Sequence, residues 1–185
     1  MVIGFIILVV VILAILISIY NRLVKLRNRR ENAFADIDVQ LRQRHDLVPQ
    51  LVETVKGYAT HERELLTHIT EARSAAMQAK SINEKIQAEN ALATALQGLK
   101  VAVENYPDLK ANQNFLQLQE ELSDIENKLA AARRFFNATT TEYNTAVESF
   151  PATLFAASFG FQRETLFDLA AGRAAMEEPP TIKFQ

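Results

Sequence analysis

Residues Gln113 to Phe150 read QNFLQLQEELSDIENKLAAARRFFNATTTEYNTAVESF. Within them Phe115, Leu118, Leu122, Ile125, Leu129, Ala132, Phe136, Thr139, Tyr143, Ala146 and Phe150 follow one another in alternating steps of three and four. On an α-helix those steps return to one side, which is the heptad seam of a coiled coil or helical bundle. The other side carries Gln119, Glu120, Asp124 and Lys128, so only one face is built for burial. Such a helix extends for roughly 50 Å. One apolar stripe of that length requires partner helices.

The chain supplies them upstream. Phe34, Ile37, Leu41, Val48, Leu51, Val55 and Tyr58 form a second stripe, interrupted only by Arg44. Pro49 lies inside it and removes a backbone hydrogen bond, which predicts a kink near Asp46 to Val48 or two abutting helices, with Gly57 as the end. A further helix is expected from about Thr60 to Lys80, with Leu65, Ile69, Ala72, Ala76 and Ala79 on one face. Ser81-Ile82-Asn83-Glu84 has the Ser and Glu of a capping box and marks a fresh start. The helix that follows carries Ile86, Leu92, Leu96, Leu99 and Val103 and stops around Asn105-Tyr106-Pro107-Asp108. With only 5 Gly and 5 Pro in 185 residues, the fold class is all-α. Helices joined by short connections, each with one apolar stripe, make an antiparallel four-helix bundle across residues 31–150.

Residues 1–20 differ in kind. From Met1 to Tyr20 every residue is apolar except Gly4 and Ser18, and the stretch is long enough to cross a bilayer's hydrocarbon core of roughly 30 Å. A cleaved signal peptide would carry positive charge before the apolar run and small residues at a cleavage site; neither is present, so a retained single-pass transmembrane anchor is expected. It continues through a basic flank, residues 21–30, with Arg22, Lys25, Arg27, Arg29 and Arg30. The positive-inside tendency keeps such a flank in the cytoplasm, with the N-terminus outside. The same residues are candidates for contact with anionic headgroups at the membrane surface. The partner read from this region is the lipid bilayer.

After Pro151 the composition turns aromatic, with Phe155, Phe159, Phe161 and Phe167 following Phe150. Residues 151–176 are expected either to fold back and pack on the bundle or to form an interface with a partner or membrane surface. Glu177-Glu178-Pro179-Pro180 and the rest of 177–185 read as a disordered tail.

A net charge of −2 provides no field for nucleic acid, and the absence of Cys excludes thiolate chemistry and disulfides. His61-Glu62 invites comparison with zinc-protease helices, but the next histidine, His68, lies about two turns along, too far to share one ion. His45-Asp46 reads as a surface or capping pair. Paired Glu-x-x-His motifs, Gly-rich phosphate loops and Gly-x-Ser-x-Gly elbows are missing. The expectation is a chain without enzymatic activity, metal or cofactor. The polar residues at stripe positions are register or interface candidates: Arg44, Arg133, Arg134 and Asn137, with Phe155, Phe159 and Phe161 beside them. Each Arg either reaches solvent along its stem or, in the case of Arg44, pairs with a carboxylate on a facing helix and fixes register. On the pairing reading, Arg44→Leu raises the melting temperature while blurring the oligomeric state.

Two long blocks of sequence resemble the LemA family of bacterial membrane proteins. The first runs from Tyr20-Asn21, Leu23-Val24 and Leu26-Arg27-Asn28-Arg29 through Asn32-Ala33-Phe34, Ile37-Asp38-Val39-Gln40-Leu41 and Arg44-His45-Asp46-Leu47-Val48-Pro49 to Leu51–Ala59 and His61-Glu62. The second comprises Tyr106–Asn112, Phe115-Leu116, Leu118-Gln119, Glu126-Asn127, Ala132–Asn137, Tyr143-Asn144 and Phe150-Pro151. Departures fall at Ile125, where relatives tend to be polar, and in the short acidic tail. The resemblance implies a transmembrane helix followed by a long-helix bundle at the bacterial inner membrane, and no catalytic residues. A magnetosome membrane protein is also similar, which points by analogy to membrane organisation. The function expected is a self-associating scaffold, a homo-oligomer that organises membrane or other membrane proteins. The alternative is a sensory or regulatory adaptor that relays a signal from the anchor to a cytoplasmic partner.

Overall fold

A computed structural model describes residues 1–59 and 61–167. Its elements are α1 (Val2–Lys56), α2 (Arg63–Gln78), α3 (Ile82–Val103), the single turn α4 (Pro107–Lys110) and α5 (Gln113–Glu148). Two 3-10 turns follow, Ala152–Leu154 and Ala157–Phe159. Among the described residues there is no strand, and the chain is all-α with a long N-terminal apolar helix, as its patterning requires. The tail at 177–185 and the end of the Phe-rich segment, 168–176, lie outside the described residues, as does Thr60.

The chain divides into two compact units. One comprises Met1–Ile37 and Ala130–Leu166. Here α1 and α5 run antiparallel, since Arg29 meets Glu142 while Phe34, further along α1, meets Phe136, earlier on α5. Leu23, Leu26, Tyr143 and Val147 form its core together with Ala152, Ala156 and Phe161 from the segment after α5. That segment turns on Gly160, whose φ of 77° closes the second 3-10 turn in the left-handed region that glycine enters freely. Asn144 holds the returning backbone at both of its groups: its Nδ2 donates to the Glu164 carbonyl and its Oδ1 accepts from the Glu164 N–H, each at 2.9 Å. Of the apolar run, Val2 to Ile15 stand uncovered, which leaves a helix long and apolar enough to cross a membrane with none of that window buried.

The other unit, Asp38–Leu129 with Phe167, is the four-helix arrangement. Val48, Leu51 and Val55 of α1, Leu66, Ile69 and Ala76 of α2, Leu92, Ala95 and Leu99 of α3, and Phe115 and Leu118 of α5 share one core. α2 and α3 form a hairpin whose turn is set by the capping box at Ser81: its hydroxyl accepts from the Glu84 N–H, and the Glu84 carboxylate accepts from the Ser81 N–H. Asn112 starts α5 by accepting the Phe115 N–H at 3.0 Å, and its Nδ2 donates to the Tyr58 hydroxyl at 2.8 Å.

Three local expectations shift. α1 is one unbroken helix through Pro49, not two abutting ones. α2 starts at Arg63 and buries Leu66 in place of Leu65. On α5 the buried track passes from Leu129 to Arg133, then Phe136, Thr139 with Thr140, Tyr143 and Val147, leaving Phe150 exposed. The sequence reading kept strict steps of three and four. A straight helix drifts by roughly 20° per heptad against that repeat, and the extra step of four at Arg133 restores the face.

Candidate functional site

α1 carries two adjacent polar residues, Arg44 and His45, into the interior of the four-helix unit. The Arg44 side chain is 0% exposed. It ion-pairs with Glu89 of α3, itself 1% exposed, and its Nη1 donates to Glu126 Oε1 of α5 at 2.7 Å. The second oxygen of Glu89 accepts from His45 Nε2 at 2.6 Å. Burial by itself pushes the Glu89 carboxyl upward. The His45 hydrogen bond and the Arg44 charge pull harder, and the group rests below the ordinary glutamate value. One turn of α1 is thereby tied to α3 and α5.

The same turn is tied to α2 through its backbone. In an α-helix the N–H of residue 49 would donate to the carbonyl of residue 45, and Pro49 has no N–H. The orphaned His45 carbonyl accepts instead from Arg73 Nε at 2.6 Å. A buried carbonyl without a partner is costly, and this arrangement explains how α1 stays helical across a proline. The account predicts non-additivity. In the full-length chain Arg73→Met should lose about 1–2 kcal/mol of stability, and much less in a Pro49→Ala background, where the N–H is restored. Equal losses in both backgrounds, read by urea unfolding, contradict it.

Nearly two turns back along α1, Asp38 accepts from Lys85 Nζ at 2.5 Å and Arg42 Nη2 at 2.6 Å. Burial raises the Asp38 carboxyl, but these two hydrogen bonds outweigh it and hold the group below the usual carboxylate range. Glu89 and Asp38 therefore share one sign of pH dependence. A depressed carboxyl contributes stability that is complete above its unfolded pKa, about 4.3 for Glu, and lost as pH falls through the lower folded value. Acid unfolding should begin below about pH 4, and Glu89→Gln should flatten the slope there. An unchanged slope would show that Glu89 carries no linked proton.

In the unit built from Met1–Ile37 and Ala130–Leu166 the basic flank separates by role. Arg22 and Lys25 are exposed. Arg27 lies over the Phe161 ring, 5.1 Å from its centroid, and Arg29 pairs with Glu142 at 2.9 Å at the surface. Arg30 is buried, 3.1 Å from Glu164 and 5.0 Å above the Phe136 ring. Burial lowers its guanidinium from the ordinary arginine value, against the upward pull of Glu164. Arg133 is buried, Asn137 half-buried and Arg134 exposed. Phe161 is buried, Phe155 half-buried and Phe159 exposed, with the rings of 155 and 159 edge to face.

Sequence reasoning missed Glu89, Glu126 and Arg73 and took His45 for a surface contact. A signal for Glu89 existed: the α3 stripe jumps six residues from Ile86 to Leu92, and Glu89 fills the gap. An acid at a vacant stripe position on one helix and Arg44 at the interruption on another are complementary. His61 and His68 are both exposed, and among the described residues no three His, Asp or Glu side chains gather closely enough to hold a metal ion. The Arg44–Glu89 pair is enclosed, so its chemistry is that of a clamp between helices, with no surface for a substrate at its centre.

The chain is 27% identical over 131 residues to Protein LemA of Metamycoplasma hominis, covering 70% of this chain and 60% of that protein. It is 22% identical over 174 residues to magnetosome protein MamQ of Magnetospirillum gryphiswaldense, covering 80% of this chain and 64% of that one. A third relative, magnetosome protein MamQ 2 of Paramagnetospirillum magneticum, is 23% identical over 185 aligned positions, covering 86% and 68%. The chain thus spans less than two thirds of the length of the first two. The LemA family model matches residues 33–184, from just after the basic flank to the C-terminal end. The chain belongs to the LemA family.

Proposed function

We propose that this chain is a non-enzymatic, single-pass membrane scaffold that self-associates and organises other membrane proteins. The observation that carries the reading is the uncovered apolar start of α1, which no other described part of the protein buries. Exposed apolar surface of that extent belongs in a bilayer. Relatives named as magnetosome proteins support a role at a membrane. The interior of the four-helix unit is occupied by a charge clamp, which supports a structural role over a catalytic one. In this reading the membrane is the bacterial inner membrane, the N-terminus faces outward and the basic flank stays in the cytoplasm. An adaptor that passes an event at the anchor to a cytoplasmic partner is the second reading. It is favoured by one feature, that α1 is a single helix from the apolar run to the Arg44 turn.

Two measurements test the proposal. Because the chain has no native Cys, single cysteines at Val2 and Gln78 report orientation through a membrane-impermeant maleimide. Val2→Cys should label on intact cells and Gln78→Cys only after lysis; the reverse pattern overturns the orientation. Self-association is read by co-expressing two differently tagged copies. Capture of one tag should retrieve the other, and retrieval of a single tag contradicts the scaffold.

A further inference from the structure

The segment after α5 has two faces. Ala152, Ala156 and Phe161 enter the core beside Leu23 and Leu26. Phe150, Leu154 and Phe159 remain 80%, 71% and 51% exposed. This apolar tip lies beside the end of the apolar run: Phe159 and Phe161 both meet the Tyr20 ring edge to face, at 5.6 and 5.5 Å, and Tyr20 is the last residue of that run. The groove beside it, of about 690 Å³, is lined by Ile19, Arg22, Thr145, Ser149 and Phe150 among others.

We infer that Phe150, Leu154 and Phe159, with Tyr20, form an interfacial collar that inserts into the headgroup region of the same bilayer that α1 crosses. The inference rests on the reading that residues 2–20 span that bilayer. Three observations fix the occupant as lipid. The tip is continuous with the end of the span through the Tyr20 contacts, and aromatic side chains favour that depth. Arg22 and Lys25 are exposed within the next turn and a half of α1, with charge complementary to lipid phosphates. The backbone of the collar is largely satisfied from within, which an interfacial segment needs as water thins out. Thr153 donates to the Ser149 carbonyl, Phe155 and Ala156 to Ala152, and Phe161 to Ala156, at 2.8 to 3.1 Å. Pro151 stops α5 at this level, so the chain turns along the surface and does not enter the hydrocarbon.

The chain has no Trp, so one introduced indole reports alone. Full-length Phe150→Trp, Leu154→Trp and Ile12→Trp variants are reconstituted into phosphatidylcholine–phosphatidylglycerol vesicles whose phosphatidylcholine carries bromines either on the acyl carbons nearest the headgroup or, in a second preparation, near the acyl methyl ends. Phe150→Trp and Leu154→Trp should lose most of their emission to the shallow bromines and Ile12→Trp, at mid-span, to the deep ones, and the first two should be blue-shifted and protected from aqueous iodide. Quenching at Ile12→Trp with iodide-accessible, bromine-insensitive emission at Phe150→Trp and Leu154→Trp overturns the collar alone. Bromine-insensitive emission that shifts blue only as protein is raised against lipid assigns the tip to a second copy and also overturns it. If Ile12→Trp itself is not quenched, the span reading fails and the collar falls with it.

Discussion

Glu89→Ala is expected to destabilise the folded chain by about 3 kcal/mol, the lower end of the range for removing one partner of a buried ion pair. The lower end applies because Arg44 keeps Glu126, whose side chain is 45% exposed and already hydrated. His45 and the inner guanidinium nitrogen lose their common acceptor. Arg44→Leu is the harsher change in kind, since it leaves the enclosed Glu89 carboxylate with His45 alone, and it should lower the melting temperature. That reverses the rise expected from sequence for an Arg44 paired with a carboxylate on a facing helix, because replacing Arg44 alone leaves the Glu89 carboxylate buried. The rise belongs to the double replacement Arg44→Leu, Glu89→Leu, which removes both buried charges and should recover most of the loss. Urea unfolding of the full-length chain in detergent at neutral pH measures all three. A Glu89→Ala variant within about 0.5 kcal/mol of the parent, the range of ordinary surface substitutions, would place the cluster in water.

Phe136→Ala should be as damaging to the other unit. The ring is 0% exposed, edge to face with Phe34 at 5.5 Å, and it is the aromatic surface beneath Arg30. Truncating a buried Phe costs about 3–5 kcal/mol through lost transfer energy and the cavity left behind. Here it also strips the buried Arg30 of its cation–π partner, while Glu164 remains. Hydrogen exchange should show the loss as faster exchange in residues 21–37 and 130–148. Phe136→Leu should recover most of the protection, because it refills much of the volume. Protection unchanged in Phe136→Ala would show that this ring does not hold the helices together.

Most of the fold was legible because α-helices write themselves as periodicity. The Phe115 to Tyr143 stripe, the Ser81–Glu84 capping box and the stop before Pro107 are local signals, and each describes a real element. What failed was local geometry that depends on a distant side chain. Pro49 reads in sequence as a kink or as the boundary between two abutting helices, and the boundary is absent. The residue is tolerated because Arg73, on another helix, reaches the carbonyl that the proline leaves open. The stripe on α5 was drawn with strict heptads, and the shift to Arg133 and Val147 follows from helical drift that no local residue announces.

The polar interior was half legible. Arg44 stood out as an interruption, and Glu89 could have been found as the filling of a gap in the α3 stripe. Pairing the two required knowing that α1 and α3 face each other at that level. Glu126 was not recoverable, because a Glu on the charged side of α5 looks like any solvated residue. The basic flank illustrates the same limit. Arg22, Lys25, Arg27, Arg29 and Arg30 are equivalent in sequence, yet Arg30 is buried against Phe136 and Glu164 while Arg22 and Lys25 stay exposed. The C-terminal phenylalanines read in sequence as either packed or interfacial, and the turns at 152–159 bury Phe161 while leaving Phe150 and Phe159 exposed.

The central claim is that the chain is a self-associating membrane scaffold, and the most direct test is the mass and symmetry of the full-length protein after extraction into detergent. Closed homo-oligomers are expected to obey point-group symmetry. The account predicts a discrete, symmetric particle containing several copies of this chain, seen both by light-scattering mass and by averaged single-particle images. A monomer, or a single copy bound to a different protein, would contradict it and favour the adaptor.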